Sequence, residues 1–339
     1  MLVAMTPPSE RLGEGKLSRE RLGRLLAFTA RGSPEVLVGA EAGEDAAVVR
    51  GAETLILTAD PITFTEENIG VYTVAVNCND VVAMGGKPVY LTTTILLPPG
   101  TGQGRLDTIF EELEEACRRA GVLWVGGHTE VTSAVNRIVI SAQALGFLNG
   151  KPTRTCDASA GELLCMSKWT ALEATTLIAR EKAEVSRRLL GEEGHREVLS
   201  WLYDPGISIL AEGRILAGRG LSAGHDPTEG GLATGIHEIA KRSRVGVRVY
   251  REKIPVRRET ELLCNHFGLD PLGALSSGVF LFTAPPGQAE EACRLLNAGQ
   301  VQAAVIGEIT EDKGKVELVE SGGSRPLPQF IRDEIIKLT

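Results

Sequence analysis

The chain contains 339 residues, which is enough for two domains of ordinary size with a buried core in each. Its residues are 43% hydrophobic and 24% charged, with 39 glycines, a composition typical of a globular α/β protein and not of a disordered or fibrous one. The net charge of −8 and the lack of a sustained basic stretch argue against a nucleic-acid partner, whereas an acidic protein can still bind a nucleotide through Mg²⁺.

The cysteines and the hydropathy pattern limit the class of protein further. No two cysteines form a CxxC pair, so neither a zinc ribbon nor a disulfide framework is indicated. No run of about 18 apolar residues occurs, and Pro7 and Pro8 interrupt the N-terminal segment. We therefore expect a cytoplasmic protein without a membrane span. The six cysteines are Cys78, Cys117, Cys156, Cys165, Cys264 and Cys293.

Strand and helix patterns alternate along the first half of the chain. Ser18–Ala30 has helical spacing and begins with a capping serine. Further helical periodicity covers Tyr72–Met84 and Leu106–Ala120. This alternation predicts one α/β unit. The segments rich in β-forming residues are Ala46–Val49, Thr54–Thr58, Val89–Leu97 and Arg137–Phe147.

A linker is predicted at Asn149–Gly161, which collects glycine, proline, serine and polar residues. The predicted boundary lies near residue 155 and separates domains 1–154 and 155–339. The second half repeats the mixed strand and helix pattern up to Val316–Val319. The predicted fold class is therefore α/β (α+β) with two domains.

Four short segments place a carboxylate beside small residues at the expected end of a strand or helix. Mg²⁺ prefers hard oxygen ligands and commonly bridges one or two carboxylates to substrate phosphates. Aspartates from separate segments that converge on one site could bind it in this way. The four segments are Gly43–Val48, Thr58–Asp60, Asn77–Asp80 and Asp226–Leu232.

Glycine-rich stretches could bring backbone amides to phosphates, because glycine lets the backbone approach an anion closely. Gly126-Gly127-His128-Thr129 fits this role, as does Gly230. Alone, each of these pieces would more often be an ordinary surface turn. Their order and combination favour the phosphate-binding interpretation.

Taken in order, GEDAAVV, LTAD, AVNCNDVVAMGGKP, GGHTEV and DPTEGGLATGIHEIA resemble the successive motifs of one superfamily. It contains aminoimidazole-ribotide synthase, thiamine-monophosphate kinase, selenophosphate synthetase and the hydrogenase-maturation protein HypE. The resemblance spans about residues 40 to 310. Within the superfamily, DPTEGGLATGIHEIA, IPV and FGLDPL most resemble HypE.

The resemblance implies a PurM-like fold, in which an N-terminal mixed sheet forms a barrel in a homodimer and an α/β domain follows. It implies ATP and Mg²⁺ as cofactors. Asp45, Asp60 and Asp80 match the aspartates that bind Mg²⁺ and phosphates, Asn77 matches an asparagine of the same motif, and Asp226 matches a metal-binding and catalytic aspartate of the second domain.

Two departures from the family pattern, at His128 and at the C-terminal end, bear on mechanism, and so does Lys16. His128 stands where HypE and thiamine-monophosphate kinase usually have aspartate, so it is a candidate catalytic residue or a residue that only bonds a neighbouring loop. Lys16, in GEGKL, resembles a family segment that could neutralise phosphate charge, but it could equally be a solvated surface lysine. HypE acts through a C-terminal cysteine, whereas the given sequence ends FIRDEIIKLT.

The expected function is phosphoryl transfer from ATP to an oxygen of a small substrate, such as a carbamoyl-type group. Such chemistry depends mainly on positioning and charge neutralisation, which suits a site rich in aspartate and glycine. One alternative is a small-molecule kinase like thiamine-monophosphate kinase. Another is a nucleotide-binding maturation scaffold that holds partner proteins and turns ATP over slowly. We expect a homodimer, possible contact with another maturation protein, and no nucleic-acid or membrane partner.

Overall fold

A computed structural model describes residues 15–16, 24–28, 33–34, 36–38, 48–49, 54–148 and 150–338. Contacts between Cα atoms divide the chain into two compact units. The first unit contains residues 1–81 and 86–149, and the second contains residues 82–85 and 150–339.

The first unit is built on a mixed sheet with the strand order β1-β6-β5-β7-β4. β5 and β6 are parallel, and the other neighbouring strands are antiparallel. Every second side chain of β5 is buried, among them Leu91, Ile95 and Leu97, as expected for a strand with one face on the core. The strands are β1 (Gly15–Lys16), β4 (Leu55–Ile62), β5 (Lys87–Leu97), β6 (Leu123–Val131) and β7 (Val139–Phe147), with β2 (Val36–Val38) and β3 (Val48–Val49) forming a separate pair.

Two helices, α1 (Ile69–Ala83) and α2 (Gln103–Ala120), lie in the first half of the chain, and the first unit contains α2 and the residues of α1 up to Val81. A Cβ atom added to Gly70 would lie 2.6 Å from the Cβ of Glu112, so only glycine permits this approach of α1 to α2. The amide of Gly70 donates to the Glu112 carboxylate at 3.0 Å. Glu112 thereby satisfies one of the amides that the first turn of α1 leaves without a helical partner.

The second unit contains a sheet with the order β14-β13-β10-β12-β8-β11-β9. Leu164, Leu281 and Ile306 from this sheet pack with Ile236 of a helix in one core cluster. The strands are β8 (Leu163–Ser167), β9 (Ala223–His225), β10 (Gly246–Tyr250), β11 (Leu281–Ala284), β12 (Ala303–Thr310), β13 (Val316–Glu320) and β14 (Gly323–Pro326). The helices are α3 (Leu172–Glu181), α4 (Ala183–Ser200), α5 (Leu210–Leu216), α6 (Gly231–Ser243), α7 (Arg258–Phe267) and α8 (Pro286–Ala298).

The predicted mixed α/β class is confirmed, and the elements differ from their predicted bounds mainly at their ends. Most of the helix predicted at Ser18–Ala30 lies outside the described residues. β6 was not predicted as a strand, because its Gly126-Gly127 pair reads as a turn. Nowhere in the described part of the chain does a helix have the length and apolar character needed to cross a bilayer.

Candidate functional site

Two of the predicted metal ligands meet in the first unit. Asp60 lies on β4, Asp80 lies on α1, and their carboxyl groups are in hydrogen-bond contact. Thr58, two residues before Asp60 on the same face of β4, donates its hydroxyl to Asp80 Oδ2 at 2.5 Å. Burial, followed by the contact with Asp60, raises the pKa of Asp80 to about 7, although the Thr58 hydroxyl lowers it.

Such a pair fits a divalent cation. Two carboxylates in contact cannot both ionise readily unless a positive charge lies between or beside them. Among the described residues, no group of three or more His, Cys, Asp or Glu side chains could hold a metal ion. Mg²⁺ commonly uses one or two carboxylates and completes its shell with water and phosphate oxygens, so Asp60 and Asp80 suffice as protein ligands. Asp45, the third predicted ligand of this domain, lies outside the described residues.

Asn77 holds the backbone that carries Asp60. Its side chain is fully buried in α1. Asn77 Oδ1 accepts the Asp60 amide at 2.9 Å, and Asn77 Nδ2 donates to the carbonyl oxygens of Asp60 at 3.3 Å and Thr73 at 2.9 Å. These bonds occupy the amide group, so in this structure Asn77 positions Asp60 and does not present its amide to a nucleotide.

The Gly126–Thr129 segment lies inside β6, where Gly127 pairs with Thr93 of β5. Gly127 has φ 152°, and an added Cβ would lie 1.8 Å from the Thr93 carbonyl oxygen. Glycine is therefore required here by the approach of β5, whether or not a phosphate binds. Thr129 is buried. The backbone of Lys16 pairs with Glu130 through β1, and the Lys16 side chain lies outside what the structure describes.

Strand register separates His128 from the aspartate pair. Asp60 stands in one cross-strand row with Ala142, Thr93 and Gly127, and His128 belongs to the next row. Because neighbouring side chains on a strand point to opposite faces, His128 and Asp60 lie on opposite faces of the sheet. The His128 side chain is 42% exposed, and its Nε2 lies 3.5 Å from Glu130 Oε2. The structure therefore does not bring His128 to Asp60 and Asp80.

The second acidic motif connects β9 to α6 in the second unit. Asp226 is buried, and Gly230 and Gly231 have φ of 74° and 62°, conformations that glycine adopts without strain. The Gly230 amide, predicted to face a phosphate, donates to Asp333 Oδ2 at 2.7 Å. In this structure a carboxylate of the same chain therefore occupies that amide.

Three residues near these groups were missed by the sequence interpretation. Thr58 lies within the LTAD motif, but the sequence interpretation gave it no role, although a residue two positions before Asp60 on a strand shares its face. Asp333 and Glu173 gave no local signal. Glu173 is buried in the first turn of α3, and that burial raises its pKa to about 7.

The cysteines have the properties of core residues. All six are free thiols, and all except Cys156 are buried. Burial raises the pKa of both Cys78 and Cys264 to about 12. Cys293 is buried on α8. Buried thiols of high pKa are poor nucleophiles.

Two family profiles cover most of the chain. The profile described as AIR synthase related protein, N-terminal domain, matches residues 43–148, and the corresponding C-terminal domain matches residues 176–319. The chain belongs to the AIR synthase related family. The predicted superfamily is confirmed, and so is the prediction of an enzyme of this superfamily, since relatives are named as dehydratases.

Relatives of similar length include proteins of hydrogenase maturation. A hydrogenase expression/formation protein of Methanocaldococcus jannaschii is 27% identical over 308 residues, which is 88% of this chain and 89% of the relative. Carbamoyl dehydratase HypE of Rhizobium leguminosarum bv. viciae is 27% identical over 292 residues, covering 83% and 81%. These relatives support the expected AIR-synthase-related, ATP-using function.

Solved structures share the two-domain PurM-like fold. A crystal structure of HypE in complex with ATP has a TM-score of 0.76 at 24% identity, covering 96% of this chain and 98% of that chain. HypE in a HypE–HypF complex has a TM-score of 0.69 at 25% identity, covering 81% and 90%. Thiamine-monophosphate kinase from Stenotrophomonas maltophilia has a TM-score of 0.74 at 21% identity, covering 91% and 98%.

Proposed function

We propose that this chain binds ATP with Mg²⁺ and transfers a phosphoryl group to an oxygen of a small substrate, most simply a carbamoyl-type oxygen. The observation that carries the proposal is the contact between the Asp60 and Asp80 carboxyl groups. Relatives named carbamoyl dehydratase and a structural neighbour crystallised with ATP support the choice of ligand and substrate class.

The chain's own groups have distinct roles in this proposal. Asp60 and Asp80 hold the cation, Thr58 orients Asp80, and Asn77 fixes the Asp60 backbone. A cation held there would neutralise phosphate charge, which phosphoryl transfer requires together with positioning. In the second unit, we propose that Asp226 supplies a further acidic group for the reaction, at the start of its glycine-rich loop.

MgATP binding can be tested before the substrate is known. A ligand that binds only the folded state at a hundredfold excess over its Kd stabilises that state by about 2.7 kcal/mol. We expect MgATP to raise the melting temperature of the parent and of Asp312→Asn, which changes an exposed aspartate in the turn before β13. Asp80→Asn should lose the effect. A parent melting curve unmoved by millimolar MgATP would contradict the ATP assignment.

The acceptor can then be tested by ADP release with candidate substrates. Carbamoyl-bearing peptides should stimulate turnover if the dehydratase-like reaction is correct. Stimulation by thiamine monophosphate would instead favour a small-molecule kinase, an alternative supported by the fold shared with thiamine-monophosphate kinase. Binding of MgATP with no turnover on any acceptor would favour a maturation scaffold, for which the HypE–HypF complex of a structural neighbour offers a precedent.

We also propose that the chain forms a homodimer through the sheet face that carries His128. On that face of β4, Leu57 is 70% exposed and Leu55 is 46% exposed. β4 also ends the sheet order among the described strands. Exposed apolar side chains and unpaired strand edges are commonly covered by a partner. Light scattering should give about twice the 36.2 kDa chain mass, and Leu57→Lys should shift it to the monomer. A monomeric parent would contradict this proposal.

A further inference from the structure

The segment Leu327–Leu338 packs along one side of the second unit's acidic motif. Nε2 of His237, on α6, donates to the carbonyl oxygens of Leu327 and Pro328 at 3.2 Å each. The Phe330 ring covers Gly273, where an added Cβ would lie 2.4 Å from the ring. Near the end of the segment, Lys182 Nζ donates to the Leu338 carbonyl oxygen at 3.2 Å. Contacts along its length therefore hold this segment in place.

Asp333 is the point at which the segment reaches the acidic motif. Asp333 Oδ2 accepts the Gly230 amide at 2.7 Å, and Oδ1 accepts the amides of Leu275 at 3.3 Å and Ile335 at 2.9 Å. One carboxylate thus bridges the loop before α6 and a second loop around Leu275. Gly230 precedes Asp333 by 103 residues, and Leu275 precedes it by 58. Its side chain is only 6% exposed, so these bonds are protected from competition with water.

The Gly230 amide needs such a partner. Gly230 is the N-cap of α6 and lacks a side chain, so the helix begins without a local cap. A carboxylate at this end of a helix is favoured by the helix dipole. Among the backbone bonds of this loop, the Thr228 carbonyl oxygen accepts the amides of Gly231 at 3.1 Å and Ser276 at 3.4 Å, and the Gly230 carbonyl oxygen accepts the Thr234 amide at 3.3 Å. Asp333 therefore supplies a side-chain restraint on the loop that begins at Asp226.

We propose that Asp333 is a positioning residue for the reaction. Its hydrogen bond to the Gly230 amide, called the clasp below, holds the Asp226–Gly231 loop in the conformation that places the Asp226 carboxylate. This inference rests on the proposed function for the role of Asp226, but the clasp itself can be tested without ATP. The alternative is that Asp333 only caps the helix and adds stability, without a role in the reaction. Glu334 separates the two possibilities, because it is equally buried at 6% and its carboxylate instead accepts the Asp270 amide at 2.9 Å and Lys337 Nζ at 2.6 Å.

The experiment compares full-length parent, Asp333→Ala, Asp333→Asn and the matched control Glu334→Gln. Hydrogen exchange of peptides covering residues 226–236 is measured without nucleotide, and the Kd for MgATP is measured by calorimetry. We expect Asp333→Ala to speed exchange in this loop and to weaken MgATP binding at least tenfold. Asp333→Asn keeps one acceptor oxygen and should be intermediate. Glu334→Gln should leave both the loop exchange and the Kd within about twofold of the parent, whatever its effect on melting temperature.

The outcomes separate this inference from the proposed function. Unchanged loop exchange in Asp333→Ala overturns the clasp. Equal losses of MgATP affinity in Asp333→Ala and Glu334→Gln also overturn it, because they would reflect general destabilisation. If the parent does not bind MgATP, the proposed function fails, while faster loop exchange in Asp333→Ala alone still supports the clasp. Should Asp333→Ala not fold, the same two measurements on Asp333→Asn decide the question.

Discussion

Replacing Asp80 by asparagine should stabilise the metal-free protein at alkaline pH. Contact with Asp60 and burial raise the Asp80 pKa from 3.8 to about 7. Each pKa unit corresponds to about 1.4 kcal/mol, so ionised Asp80 costs the folded state about 4 kcal/mol relative to the unfolded chain. The cost is absent below pH 3.8, where both states are protonated, and it grows as pH rises toward about 7. Asparagine is neutral throughout and avoids it.

Urea denaturation in a metal chelator measures this effect as a free energy of unfolding. At about pH 8, Asp80→Asn should exceed the parent by a few kcal/mol, with about 4 kcal/mol as the ceiling, and the difference should shrink toward about pH 4. Added Mg²⁺ should stabilise the parent, because the cation offsets the carboxylate charges, and should have little effect on the variant. Asp312→Asn, at an exposed site, controls for the change in net charge. Equal pH profiles and equal Mg²⁺ responses in parent and Asp80→Asn would refute the reasoning.

Three further predictions concern Thr58, Asn77 and Glu173. Thr58→Val removes the hydroxyl that lowers the Asp80 pKa. The rise in melting temperature caused by Mg²⁺ should therefore appear only at higher pH than in the parent. An unchanged pH midpoint of this Mg²⁺ effect would argue against the role of Thr58. Asn77→Ala leaves the partly buried Asp60 amide without its acceptor. It should lower the free energy of unfolding, measured by urea denaturation, by about 3 kcal/mol. A loss below about 1 kcal/mol would count against this role of Asn77. Burial raises the Glu173 pKa from 4.5 to about 7, so the parent should lose stability as pH rises across that range. In Glu173→Gln, the free energy of unfolding measured by urea denaturation should depend less on pH. Parallel pH profiles of the parent and the variant would contradict the prediction.

Several features of the fold could be predicted from local pattern. Helical periodicity predicted α1 and α2, and the content of β-forming residues predicted β5 and β7. In α2, β5 and β7 one face is buried, whereas α1 is buried on nearly all sides. β6 could not be found in this way. Its glycines resemble a turn, and the reason for Gly127 is the approach of the Thr93 carbonyl oxygen on another strand, which no local signal reports.

The sequence by itself determined the family, the α/β class and the acidic residues most suited to bind a metal, because these depend on residue type, order and spacing. Tertiary structure decided which of those residues meet. Asp60 and Asp80 come together because side chains of α1 bond to β4, Asp80 to Thr58 and Asn77 to the Asp60 backbone. His128 is separated from them because a step of one residue along a strand reverses the face of a side chain. The bond between Gly230 and Asp333 joins residues 103 positions apart, and only the folded chain brings such distant groups within hydrogen-bond distance.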